Sequence, residues 1–196
     1  MRFSRVLFSL VMLCSLASAA SRKSVYRNKD YGIILRVPSG AWLCPTEGNG
    51  INHGPALLLG SEDARVCRSY SRQKRWIIIF GESNAAEKSK TLHTFLKSQC
   101  AYVGLDSKEP SAECSPAPTD LSVSGLPSEA ARINHSNGSI EFIVVTQAGK
   151  PDPNFDASVP SFNYDLSLST DAKHLDADLA VFRSVLKAVK LAPPSR

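Results

Sequence analysis

The chain has 196 residues, 43% of them hydrophobic, with 23 basic and 18 acidic side chains and a formal net charge of +5. That is the length of a single domain with enough chain to bury a core. The charge is of the ordinary solubility kind and its basic residues are scattered, which argues against a nucleic-acid footprint.

Residues 1–20 read as a secretory signal peptide. Arg2 and Arg5 form a basic start, Val6 to Leu16 an apolar core, and Ala17-Ser18-Ala19-Ala20 a small-residue cleavage region. A retained anchor would need roughly 20 apolar residues, and Ser9 and Ser15 interrupt this run. A lipoprotein signal would want a small residue ahead of Cys14, where Leu13 stands. The expected organisation is therefore a signal over 1–20 and one exported domain over 21–196, with no membrane span after cleavage. Removing Arg2 and Arg5 leaves 21 basic against 18 acidic residues, a charge of +3.

Tyr31 to Val37 reads as part of an opening strand pair, closed by the turn residues Pro38-Ser39-Gly40 and followed by Trp42. Residues 45–54 form a glycine-rich loop, Ala56 to Leu59 a short strand, and 61–74 a polar loop. The basic cluster Arg68, Arg72, Lys74 and Arg75 leads from that loop into the next strand and reads as solvated. Trp76-Ile77-Ile78-Ile79-Phe80 has no polar face, as a central strand covered on both sides requires. A first helix follows, capped by Asn84 with Glu87, and places Leu92, Phe95, Leu96 and Cys100 on one face. Ala130 to His135 and Ile140 to Thr146 flank Asn137-Gly138, a dipeptide suited to a tight hairpin. Phe162, Tyr164, Leu166 and Leu168 alternate with Asn163, Asp165, Ser167 and Ser169, predicting a strand with one buried face. A second helix starts near Thr170-Asp171, carries the stripe Leu175, Leu179, Phe182, Leu186 and Val189, and stops at Pro193-Pro194. Segments 106–119 and 149–160 read as irregular loops.

Loss of Cys14 with the signal leaves Cys44, Cys67, Cys100 and Cys114. Four cysteines in an oxidising compartment allow three disulfide pairings. Cys44–Cys67 with Cys100–Cys114 is favoured because each closes a short local loop. The chain has no C-x-x-C pair, which argues against a metal site.

The element order predicts an α+β fold, a mainly antiparallel sheet flanked by two principal helices in an α/β/α sandwich-like arrangement. The residues 31–42 (YGIILRVPSGAW) and 182–191 (FRSVLKAVKL) resemble the opening and closing motifs of the PsbP-like and DcrB-like group. Ala41 and the four cysteines depart from that group's pattern. The resemblance implies a non-enzymatic accessory or binding protein, often exported, with no catalytic residue to carry over.

The chemistry-bearing residues agree with that expectation. No Ser lies in a G-x-S-x-G elbow, and His53, His93, His135 and His174 share no ligand spacing. No cofactor is expected, since Gly48, Gly50 and Gly54 lead into a strand, the wrong context for a phosphate-cradling loop. Asn134 and Asn137 both match the glycosylation acceptor pattern, and the hairpin alone explains Asn137. Long loops concentrate function, so Asn49, Asn52, His53, Tyr70, Asp152, Asn154 and Phe155 are the candidate partner surface. The expectation is a monomeric, non-enzymatic, periplasmic or secreted protein that binds or assists an envelope or secreted protein. The alternative is an inhibitor or immunity protein that blocks an enzyme with a loop.

Overall fold

The structure, a computed structural model, describes residues 24–44, 53–60, 65, 67, 74–83, 91–106, 114–148 and 162–192. Its elements in chain order are β1 (Val25–Asn28), β2 (Ile33–Arg36), β3 (Ala41–Leu43), β4 (Ala56–Leu59), β5 (Trp76–Ser83), α1 (Leu92–Asp106), β6 (Ser115–Pro116), β7 (Ser128–Asn134), β8 (Ser139–Ala148), β9 (Phe162–Asp171), α2 (Leu175–Ala188) and β10 (Val189–Leu191). They form a three-stranded sheet, β1-β2-β10, and a seven-stranded sheet, β3-β4-β5-β9-β8-β7-β6. All pairings are antiparallel. The fold is the expected α+β class. The signal region 1–20 lies outside the described residues.

One face of the large sheet carries the main core. Period-two alternation brings Leu57, Ile77, Ile79, Phe142, Val144, Tyr164, Leu166 and Leu168 to that face. The stripe of α2 meets them with Leu179, Phe182, Val185 and Leu186, and the small sheet adds Ile33 and Leu35. Each such side chain stabilises the fold by about 1.5–3 kcal/mol on burial. The stripe nevertheless ends sooner than its spacing predicts. Helix α2 stops at Ala188, and Val189 enters the core from β10, paired with Leu35. A β-branched Val-x-Leu run lies open to strand pairing once β2 offers a free edge.

The opposite face of the large sheet is covered in two patches. Phe95 of α1 packs on Ile133, Ile143 and Val145, with Leu92 and Leu96 beside it. Cys44, Ala56, Leu58 and Cys67 form the second patch, against Trp42, Trp76 and Ile78. Helix α1 opens behind Thr91, whose Oγ1 accepts the Thr94 N–H at 3.1 Å while Thr94 Oγ1 accepts the Thr91 N–H at 3.2 Å. This reciprocal threonine cap does what a capping box does. The expected Asn84–Glu87 pair lies outside the described residues. Disulfides join Cys44 to Cys67 and Cys100 to Cys114, with Cα separations of 5.5 and 6.0 Å. The second ties α1 to the approach of β6.

Arg75 departs from the solvated-loop expectation. Its guanidinium donates to both carboxylate oxygens of Asp178 on α2, at 2.8 and 2.6 Å, and Thr170 Oγ1 donates to the same carboxylate at 2.6 Å. Asp178 is 2% exposed, so burial of its charge demands these partners. The pair fixes the first turn of α2 to the start of β5. Arg68 and Arg72 lie outside the described residues.

Candidate functional site

The strand at the middle of the large sheet is β9, between β5 and β8. Its alternation predicts one buried face, and the structure buries both. Asn163 is 0%, Ser167 6% and Ser169 8% exposed. Alternation reports which residues share a face; it does not report whether that face meets water. Strand β5, with its apolar run Trp76 to Phe80, sits one place off-centre, and Trp76, Ile78 and Phe80 on this same face are only half-buried.

A polar column therefore runs along a mid-sheet strand where apolar residues would normally stand. Ser169 Oγ donates to the Lys74 carbonyl at 3.1 Å, and Ser167 Oγ donates to Asp165 at 2.8 Å. At the end of the column Asn163 Oδ1 accepts the Gln147 Nε2–H at 2.9 Å. Its Nδ2 is buried and has no hydrogen-bond partner among the described residues. Leaving such a donor unanswered costs about 1–3 kcal/mol, which makes Asn163 a poor choice for stability alone.

The same end of the sheet gathers aromatic rings. Phe80 pairs with Asp165, one pleat along from the Glu82–Asn163 pair. The His53 ring stacks on Phe80 with centroids 4.6 Å apart and lies 4.7 Å from the Tyr31 ring. Phe162 is 6.1 Å from both Tyr31 and Tyr164. Backbone bonds hold this arrangement. The Ile79 N–H donates to the Pro55 carbonyl and the Gly81 N–H to the His53 carbonyl, each at 3.0 Å. Residues 53–55 thus extend β4 along β5. A Cβ at Gly54 would collide with the Ile79 carbonyl oxygen, so only glycine allows that approach. Tyr164 Oη donates toward the carbonyls of Tyr31 at 2.9 Å and Ala192 at 3.1 Å. Burial holds its hydroxyl well above the ordinary tyrosine value.

Of the candidate partner residues, His53 belongs to this end. Its ring lies between two aromatic rings, and Nδ1 is 3.3 Å from the Gly81 carbonyl oxygen. Asn49, Asn52, Tyr70, Asp152, Asn154 and Phe155 lie outside the described residues. The segments carrying Asn49 and Asn52, and Asp152 to Phe155, join the described chain at His53 and Phe162. The other histidines are dispersed. His93 lies 3.3 Å from Glu129 and His135 3.3 Å from Glu141. His174 lies 2.8 Å from Asp171, and that hydrogen bond holds the Asp171 carboxyl below the usual carboxylate range. Asn137 Oδ1 accepts the N–H and Oγ–H of Ser139, with Gly138 at φ +82°. Asn134 Oδ1 accepts the Arg132 Nε–H at 3.0 Å. Among the described residues no three His, Cys, Asp or Glu side chains gather as metal ligands. No helix among them is long and apolar enough to cross a membrane. Sequence reasoning missed Asn163 and Gln147. The available signal was a four-residue polar column on a strand in a domain with two principal helices to cover it.

No protein-family model and no curated protein matches the chain. Several solved structures are similar to it, two of them as follows. Cyanobacterial PsbP (CyanoP) from Synechocystis sp. PCC 6803 is 11% identical, covers 86% of this chain and 91% of its own, and superposes with a TM-score of 0.49. LpqN, a Mycobacterium tuberculosis protein involved in cell envelope biogenesis, is 12% identical, covers 87% of this chain and 90% of its own, and gives a TM-score of 0.51. At such identity the LpqN likeness shows the fold alone. The PsbP-like resemblance is supported as a loose likeness of overall fold.

Proposed function

We propose that the chain is an exported, non-enzymatic accessory or binding protein of the cell envelope, with its ligand seat at the end of the large sheet where β5 and β9 meet. The observation that carries this reading is the buried Nδ2 of Asn163, which has no hydrogen-bond partner among the described residues. It stands beside Gln147 on the face of the sheet that also carries Phe80 with the His53 ring stacked on it. Tyr31 and Phe162 continue the aromatic cluster on the core side of the same end. A fold keeps such a donor at a cost when something other than folding uses it. The amide pair is neutral and directional. Its fit is to a group that accepts a hydrogen bond, with aromatic rings supplying apolar contact area.

Three further points support the reading. The two disulfides suit an oxidising compartment, and residues 1–20 have the order of a secretory signal. LpqN, which shares the fold, is involved in cell envelope biogenesis. The organisation that goes with this proposal is a cleaved signal over 1–20 and a single, monomeric domain over 21–196.

The test is capture from an envelope extract, with the tagged full chain and its Asn163→Leu variant run side by side. The proposal expects one component retained by the wild type and lost by the variant, with no enzymatic activity suppressed in the retained fraction. Equal retention by both chains contradicts the seat. A retained enzyme whose activity falls on binding would favour the inhibitor class instead.

A further inference from the structure

The three-stranded sheet buries one face against the main core and leaves the other in water. Its register decides what that outer face carries. Arg27 and Lys190 both pair with Ile34, one on each side, and Val25 pairs with Arg36 in the next row of the same face. All five side chains are exposed. Val25 at 46% and Ile34 at 38% are the exposed large hydrophobics among the described residues, and both lie here. Arg27, Arg36 and Lys190 take part in no ion pair among the described residues. Among the described residues no acidic side chain stands on this face. The nearest in sequence, Asp30, lies in the β1–β2 turn beside Lys29. Arg22 and Lys23 immediately precede Ser24 and β1.

Cations on the edge strands β1 and β10 would by themselves serve to discourage edge-to-edge pairing. That purpose gives no reason to leave Ile34 exposed at the centre of the face, between two cations. We propose that this face docks the protein peripherally on an anionic lipid bilayer, Arg27, Arg36 and Lys190 meeting headgroup phosphates and Ile34 and Val25 reaching the interfacial region. The charge complementarity is of one sign, and the aliphatic centre is what a bilayer accepts and a hydrated polyanion does not. Size points the same way. Three strands about 4.8 Å apart and three or four residues long cover on the order of 100 Å², far less than the roughly 800 Å² per partner of a stable protein interface. A lipid surface requires no shape complementarity over that area. The docking face is separate from the seat at Asn163 and stands or falls apart from it.

The test is co-sedimentation of the full chain with vesicles of phosphatidylcholine alone, and with about a third phosphatidylglycerol added. Wild type is expected to bind the anionic vesicles and to be released as salt rises. The variant Arg27→Gln/Arg36→Gln/Lys190→Gln should bind about a hundredfold more weakly, since each surface cation contributes roughly fivefold. Ile34→Ser should weaken vesicle binding severalfold while leaving retention on heparin unchanged. All variants share the same N-terminus and alter exposed side chains, and unchanged melting curves verify the fold. Failure of the wild type to bind anionic vesicles overturns the proposal, as does equal binding by the triple variant. Binding that tracks heparin and ignores Ile34→Ser also overturns it, in favour of a soluble polyanion.

Discussion

Arg75 and Asp178 show how a residue's surroundings decide its role. Three hydrogen bonds reach the buried Asp178 carboxylate, two from Arg75 and one from Thr170. Asp178→Ala would leave the guanidinium without its partner and should lower stability by about 3 kcal/mol in urea unfolding. The double exchange Arg75→Met/Asp178→Leu should recover most of that loss, because it removes both charges together. Tyr164 offers a test by pH. Its hydroxyl is held above the ordinary value of 10.0 by burial, so the stability it contributes is complete below pH 10 and is lost as the pH rises above it. Stability of the wild type should therefore fall more steeply above pH 10 than that of Tyr164→Phe. The phenylalanine variant should be about 1 kcal/mol less stable at neutral pH, through loss of the hydrogen bonds to the Tyr31 and Ala192 carbonyls.

At the scale of elements, α1 buries fewer of its described side chains than α2. Phe95, Leu92 and Leu96 attach it to β7 and β8, and Cys100–Cys114 pins its middle to the approach of β6. That bridge spans 14 residues, and its removal by Cys100→Ser/Cys114→Ser should cost about 3 kcal/mol in the chain-entropy model. Hydrogen exchange should then rise first in α1 and leave β5, β8 and β9 protected. Much at this scale was legible in the sequence. The hairpin around Asn137-Gly138, the strands 56–59 and 76–80, and the favoured disulfide pairing all follow from local chemistry and loop length. What was not legible depends on the neighbours of each element. Val189 reads as the end of a helical stripe until β2 is seen to offer an edge. The serines and Asn163 of β9 read as a wet face until the strand is placed at the middle of seven. Arg75 reads as one of a loop's cations until α2 brings Asp178 to it, 103 residues away.

At the scale of the molecule, the large sheet divides its labour between faces. One face, closed by α2 and the small sheet, holds the continuous core. The other carries two smaller apolar patches and the polar column of β9. Five segments of the chain converge on this end of the sheet: β5, the start of β9, the end of β8 with Gln147, the run into β4, and the β1–β2 turn that brings Tyr31. A seat assembled from such distant segments has no sequence motif, which is why His53 was visible as a loop histidine and Asn163 was not visible at all. The account claims that this end is kept for binding at the expense of stability, and the unfolding free energy of Asn163→Leu tests that claim most directly. Leucine has nearly the shape of asparagine and removes the buried donor, while the half-buried Gln147 amide can turn to water. The account predicts that the variant unfolds in urea at the same or a higher concentration than the wild type. A loss of about 1–3 kcal/mol would show that Asn163 serves the fold, and would contradict the seat.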